Sequence, residues 1–121
     1  MPRPLLDEAH VHAAVREAVA GYRHAFVAQA QAAVAAHPVV VLGMAQNPFV
    51  RRARRLLDEA GITYQYIERG SYFSGWRERL AWKMWTGWPT LPMVFVRGTL
   101  VGGASDVQRL LASGELQRLL A

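Results

Sequence analysis

Asn47-Pro48-Phe49-Val50 runs into Arg51-Arg52-Ala53-Arg54-Arg55, the densest gathering of polar and charged groups in the chain. Asn is a good helix N-cap and Pro is favoured at the first helical position, so the segment reads as a helix opening whose free N–H groups attract anions. Asn47 fits two roles: a cap alone, or a cap that also offers hydrogen bonds to a bound thiol or peptide. The four arginines fit a solvated face or an anionic partner. Cations in the first turns oppose the helix dipole by roughly a few tenths of a kcal/mol each, which favours the partner only slightly. Without interleaved aromatics to stack on bases, the cluster does not point to nucleic acid. Other chemistry is thin. His10 and His12 face different sides of a helix and His24 has nothing at i+4, so with His37 they make no metal site. No carboxylate dyad, serine triad or phosphate-cradling glycine loop is visible. The chain has no cysteine, which removes disulfides, thiolate metal sites and cysteine nucleophiles, and any redox role must borrow its sulfur.

These residues need a scaffold, and 121 residues at 52% apolar and 19% charged are enough for one domain with a core. No apolar run approaches the roughly 18 residues of a membrane span, so no membrane partner is expected. The net charge of +5 favours anionic partners. Neither a signal peptide's apolar block nor an acid-poor transit peptide is visible, and the cytoplasm is the expected location.

Leu5 to Ala36 reads as helix, with Val15, Val19, Tyr22, Phe26, Ala30 and Val34 at helical spacing and Gly21 as the weak point dividing an outer from an inner piece. Val39 to Gly43 reads as a strand buried on both faces, and Pro48 to Ala60 as a helix ended by Gly61. Ile62 to Ile67 alternates as a second, parallel strand, and Gly75 to Thr86 turns helical. Its Trp76, Leu80 and Met84 share a stripe while Trp82 and Trp85 point elsewhere, so the three tryptophans cannot all be buried. Met93–Arg97 and Thr99–Val101 flank Gly98 as a hairpin. Ser105-Asp106 is read as the cap of a helix through Leu111, and Leu116–Leu120 closes the chain.

From about Val39 onward, this arrangement resembles the glutaredoxins of the thioredoxin-fold superfamily. The matching residues are the strand Val39–Leu42, the turn and basic helix from Asn47 to Leu57, Trp88-Pro89-Thr90-Leu91-Pro92, Gly102-Gly103 and Ser113-Gly114-Glu115-Leu116. The Trp-Pro-Thr-x-Pro form is similar to the monothiol branch, and Asn-Pro-Phe-Val to the Cys-Pro-Tyr-Cys of the dithiol branch. The resemblance implies an α/β, thioredoxin-like fold with a four-stranded mixed sheet flanked by helices. To this is added an extended N-terminal helix, residues 1–21, before a glutaredoxin-like domain at 22–121.

It also implies what has changed. The family's nucleophilic cysteine falls on Asn47 and the resolving cysteine on Val50. The lysine that meets glutathione's glycyl carboxylate falls on Met44, and the Cys-Asp after the glycine pair on Ala104-Ser105, with Asp106 one position late. A cysteine-ligated iron–sulfur cluster loses its protein ligand. What the resemblance keeps is Thr90-Leu91-Pro92, with Pro92 expected in the cis form, Ser105 where the γ-glutamyl group is gripped, and Arg79 and Lys83 at basic positions. Of these two, Lys83 is read as the substitute carboxylate contact. The implied ligand-binding set is Asn47, Phe49, Lys83, Thr90, Leu91, Pro92, Ser105 and Asp106, with no catalytic residue and no metal. The implied ligand is glutathione, a thiol or an anionic peptide, held without catalysis. The alternative is a structural or interaction domain with a vestigial groove, forming a homo-oligomer through Leu5–Ala36 or the Trp76–Trp85 helix. A glutathione-dependent oxidoreductase in redox homeostasis is the third reading.

Overall fold

The computed structural model describes residues 4–71 and 73–121. A 3-10 turn at Glu8–His10 precedes α1 (Ala13–Gly21) and α2 (His24–Ala36), followed by β1 (Val39–Gly43), α3 (Pro48–Glu59), β2 (Gln65–Glu68) and α4 (Trp76–Thr86). The hairpin β3 (Met93–Val96) and β4 (Thr99–Gly102) leads into α5 (Ala104–Ser113) and α6 (Glu115–Leu120). The sheet order is β2-β1-β3-β4, with β1 parallel to β2 and antiparallel to β3, and β3 antiparallel to β4. The expected mixed sheet and hairpin are both present. Arg97 and Gly98 form the hairpin turn with positive φ at both positions, the mirror-image geometry whose twist suits a two-residue loop.

β1 sits at the centre because every residue in it is apolar or Gly. Its alternation divides the core in two: Val40 and Leu42 point toward Phe26, Ala30, Trp82 and Phe95, while Val39 and Val41 point toward Ala53, Leu57, Val107 and Leu116. The first layer lies under α2 and α4, the second under α3, α5 and α6. At about 1.5 to 3 kcal/mol for each fully buried Val or Leu, this strand is a principal source of stability.

Several boundaries differ from the sequence reading. Leu5–His12 is not α-helical, and α1 starts at Ala13, capped by His12, whose Nδ1 accepts from Ala14 N at 3.1 Å. The helix breaks beyond Gly21, at Tyr22-Arg23, where Arg23 adopts a left-handed φ of 48°. The reason is packing: Phe26, Ala30 and Val34 dock on the sheet, but Val15 and Val19 stay exposed, so no buried face carries one axis through both pieces. β2 begins at Gln65, not Ile62. On α4, Trp82 is fully buried and stacked on Phe26 with ring centroids 5.1 Å apart, so it is withdrawn from any surface the Trp76–Trp85 helix offers a partner. Trp85 stacks on Phe95 and Trp88 packs against the same layer.

Candidate functional site

The topology carries four chain segments to one end of the sheet. Leu42 pairs with Met93, Gly43 with Glu68, and Val94 with Gly102, so the exits of β1, β2 and β4 and the entry to β3 are neighbours. Asn47, the loop residues Arg69–Ser71 and Phe73–Gly75, Thr90–Pro92 and Gly103–Asp106 therefore converge there.

Asn47 caps α3 as expected. Its Oδ1 accepts from Phe49 N at 2.9 Å and Val50 N at 3.1 Å, and the residue is 8% exposed. Nothing among the described residues accepts from its Nδ2. Gln46 just before it holds φ at 65°, the left-handed region a non-glycine side chain rarely enters. Val50 is buried with Leu42 and Met44, whereas Phe49 is exposed at the mouth of the turn. The Leu91–Pro92 peptide is cis, as expected. Thr90 is exposed, Leu91 is buried beside Val50 and Met93, and a Cβ on Gly103 would stand 3.5 Å from the Pro92 carbonyl oxygen.

The reading of Ser105-Asp106 as a helix cap is corrected: Gly103 is the N-cap, and Ser105 and Asp106 lie inside the first turn of α5. A chain leaving a strand at Gly102, with φ of 115°, is already turned into the helix by Gly103. Ser105 is exposed. The Asp106 Oδ2 accepts from Gly103 N at 3.0 Å and Oδ1 from Arg109 Nη2 at 2.6 Å. The Gly103 amide, and after it Arg109, hold the carboxyl below its ordinary value of 3.8 against the opposing effect of desolvation. With a lowered folded-state pKa, its contribution to stability is present above the unfolded value and is lost as pH falls through the folded value. Asp106→Ala is expected to cost about 1 kcal/mol at pH 7, the usual worth of a helix-start carboxylate. In urea titrations the gap from the parent protein should close below that value; an undiminished gap in acid would show that the carboxylate charge is not what acts.

Arg79, which the resemblance put at a basic position but which the implied ligand set left out in favour of Lys83, is the enclosed cation of this sheet end. It is 8% exposed, and its Nη1 donates to Ser74 O at 2.6 Å and Arg69 O at 3.2 Å. Among the described residues no carboxylate pairs with it. The loop it clasps is stitched to the end of β1 by Arg69 N to Gly43 O at 3.0 Å and Ala45 N to Gly70 O at 2.8 Å. A side chain on Gly70 would stand 2.7 Å from Arg79 Nη1, which explains glycine at a position with φ of 67°. Lys83 lies one turn further along the same helix face, partly buried. The signal available in the sequence was this i, i+4 pair of cations together with the glycines at 70 and 75.

No thiol stands at the site. A carboxamide has its nitrogen lone pair delocalised, and among the described residues no base hydrogen-bonds to Ser105, so the arrangement has no built nucleophile. The same donor set offers no thiolate to an iron–sulfur cluster, so such a cluster does not fit. A cleft of about 260 Å³ lies elsewhere, between α1, α2 and α4.

The sheet order, the helix opening after β1 and the cis-proline at the same sheet end define a thioredoxin-fold protein. The family model for glutaredoxin matches residues 39–101. Over 95 residues the chain is 44% identical to a glutaredoxin-like protein of Dictyostelium discoideum, covering 78% of this chain and 77% of that one. Glutaredoxin-C6 of Oryza sativa subsp. japonica is 36% identical over 94 residues, 78% of this chain and 84% of that one. Among solved structures, a mutated buckwheat glutaredoxin superposes with a TM-score of 0.74 at 30% identity, covering 83% of this chain and 91% of that one. A buckwheat glutaredoxin–glutathione complex gives 0.71 at 28% identity, with the same coverage. The chain belongs to the glutaredoxin family.

Proposed function

We propose that this cysteine-less glutaredoxin binds glutathione, or a thiol or anionic peptide of similar shape, in the groove at the sheet end without turning it over. The observation that carries the reading is Asn47. It holds the helix N-terminus in working order through two backbone N–H bonds, at the position where the resemblance puts the nucleophile, and supplies no nucleophile itself. A ligand in the groove would meet Asn47 Nδ2 and Phe49 at the helix opening, the backbone of Thr90-Leu91-Pro92, and Ser105 on the first turn of α5. Arg79 and Lys83 give its carboxylates two cations, one fixed by burial and one free to reach, in place of the lysine replaced by Met44. Asp106 is held by Gly103 and Arg109, so it supports the helix start more than it contacts the ligand. The buckwheat relative solved with glutathione adds family support for this ligand class.

Titration with reduced and oxidised glutathione, followed by amide chemical shifts, is expected to give a dissociation constant of about 1 mM or tighter, equivalent to about 4 kcal/mol. The shifts should map to Asn47, Thr90, Leu91 and Ser105, and Arg79→Met should weaken binding about tenfold or more, the usual loss for a charged hydrogen bond. An unmoved spectrum in this groove at saturating ligand sinks the reading. Turnover by the parent chain in a glutathione-coupled disulfide assay would replace it with the oxidoreductase reading.

A further inference from the structure

One face of the molecule carries apolar side chains that its own fold does not cover. α1 buries none of its residues, and its Val15 and Val19 are 51% and 55% exposed. Isolated helices shorter than roughly 12 to 15 residues are marginal in water, so α1 depends on whatever packs against it. Facing it, α4 buries Ala81 and Trp82 on one side and presents Trp76, Leu80 and Met84 at a spacing of four on the other. The cleft of about 260 Å³ between them is lined by apolar Val19, Val27, Met84 and Trp85, with His24 and Gln31 on its polar side. Helical spacing puts Arg77 along one side of the Trp76–Met84 stripe and Lys83 along the other. Among the described residues neither has an ion pair.

An occupant matching this cleft has large apolar anchors next to acids. The chain contains such a segment. Leu5 and Leu6 are each 72% exposed, and Asp7 and Glu8 follow them directly. Leu5 and Leu6 stand in solvent instead of in their own chain's cleft. Each copy thus has one unfilled cleft and one unseated segment of complementary charge. A two-fold pairing satisfies both and closes on itself.

We propose that two copies of this chain pair by exchanging Leu5–Glu8, each seating Leu5 and Leu6 in the other copy's α1/α4 cleft with Asp7 facing Arg77. The exchange also gives α1 the apolar cover that it lacks within one chain. It is independent of the ligand groove, and because Lys83 is assigned to that groove the charge test uses Arg77 alone.

Sedimentation of the full chain across about 1 to 100 µM, the span in which micromolar affinities are read, is expected to show a species of twice the monomer mass. Leu5→Asp with Leu6→Asp is expected to weaken the dimer about 100-fold, because two anchors are lost from each side of a symmetric interface. The circular dichroism of that variant should lose no more than the helix signal of α1, the element the exchange covers, since both leucines are exposed within one chain. Arg77→Glu should weaken association about tenfold, and Asp7→Arg on the same chain should restore it by reversing both members of the pair. A parent chain that stays monomeric throughout overturns the proposal. So does a dimer insensitive to the leucine substitutions, or a charge reversal without rescue. A monomer whose melting temperature falls when Leu5 and Leu6 are replaced assigns the cleft to its own chain's segment and overturns it as well.

Discussion

Asn47→Cys is expected to turn this chain into a glutathione-dependent disulfide reductase, raising activity on the order of 10³-fold or more over a parent at background, the scale on which removing a nucleophile acts. The helix opening is already built for a thiolate. Phe49 N and Val50 N, now 2.9 and 3.1 Å from the Asn47 Oδ1, would point at the sulfur, and such donors lower a cysteine from about 8.5 into the range of roughly 3.5 to 7.5. The new thiolate attacks the glutathione sulfur of a mixed disulfide, the substrate leaves as its thiol, and glutathione stays on the protein. A second glutathione thiolate attacks that bond, forming oxidised glutathione and returning the thiolate. The cycle needs one cysteine, which matters because Val50 is buried and a thiol there would not meet solvent. The cost to stability is about 1 kcal/mol, that of losing an Asn cap, partly recovered by the thiolate as acceptor. A folded variant that binds glutathione and shows no turnover would mean that the groove, and not only the nucleophile, has drifted from the family's chemistry.

The core strands and the cap at Asn47 were legible in the sequence because local pattern and tertiary role agree there. Val39–Leu42 is apolar at every position and β-branched at three of four, the pattern of a strand buried on both faces. The N-terminal helix was less legible, since Val15 and Val19 have the same spacing as Phe26 and Ala30. Periodicity reports an apolar face without saying what covers it. Ser105-Asp106 was misread for a related reason. Both are good cap residues, but Gly102-Gly103 had already turned the chain, and Asp106 serves the same helix start from its third position. Arg79 was read as a basic position, but its burial was not legible: an arginine on a helix is usually solvated, and only the loop that folds over it shows this one to be enclosed. The distal cluster in which Arg54 Nε donates to Tyr64 Oη at 3.2 Å, with its guanidinium 3.9 Å from the Tyr66 ring centroid, was likewise invisible from spacing. Burial, and after it the Glu68 contact, pushes the Tyr66 phenol up to about 12, so it is a donor to Glu68 throughout the neutral range.

Trp82→Ala is expected to be the most damaging single core substitution, costing about 3 to 5 kcal/mol against a typical total of about 5 to 15. The indole is fully buried, it stacks on Phe26, and it ties α2 and α4 to the Val40 and Leu42 face of β1. Removing it leaves a cavity between two helices and the central strand, which a sheet paired on both sides cannot collapse to fill. Like that of Trp88, its buried Nε1–H meets no acceptor among the described residues. An orphaned donor costs about 1 to 3 kcal/mol, so Trp82→Phe, which keeps an aromatic ring against Phe26 and deletes the N–H, should cost less than about 1.5 kcal/mol. Phe73→Ala, at a side chain 93% exposed, should change stability by no more than about 0.5 kcal/mol and serves as the control. Urea unfolding followed by far-UV circular dichroism separates the three. If Trp82→Phe is as damaging as Trp82→Ala, the indole N–H has a partner such as a buried water, and the stability of this layer comes from a hydrogen bond as well as from packing.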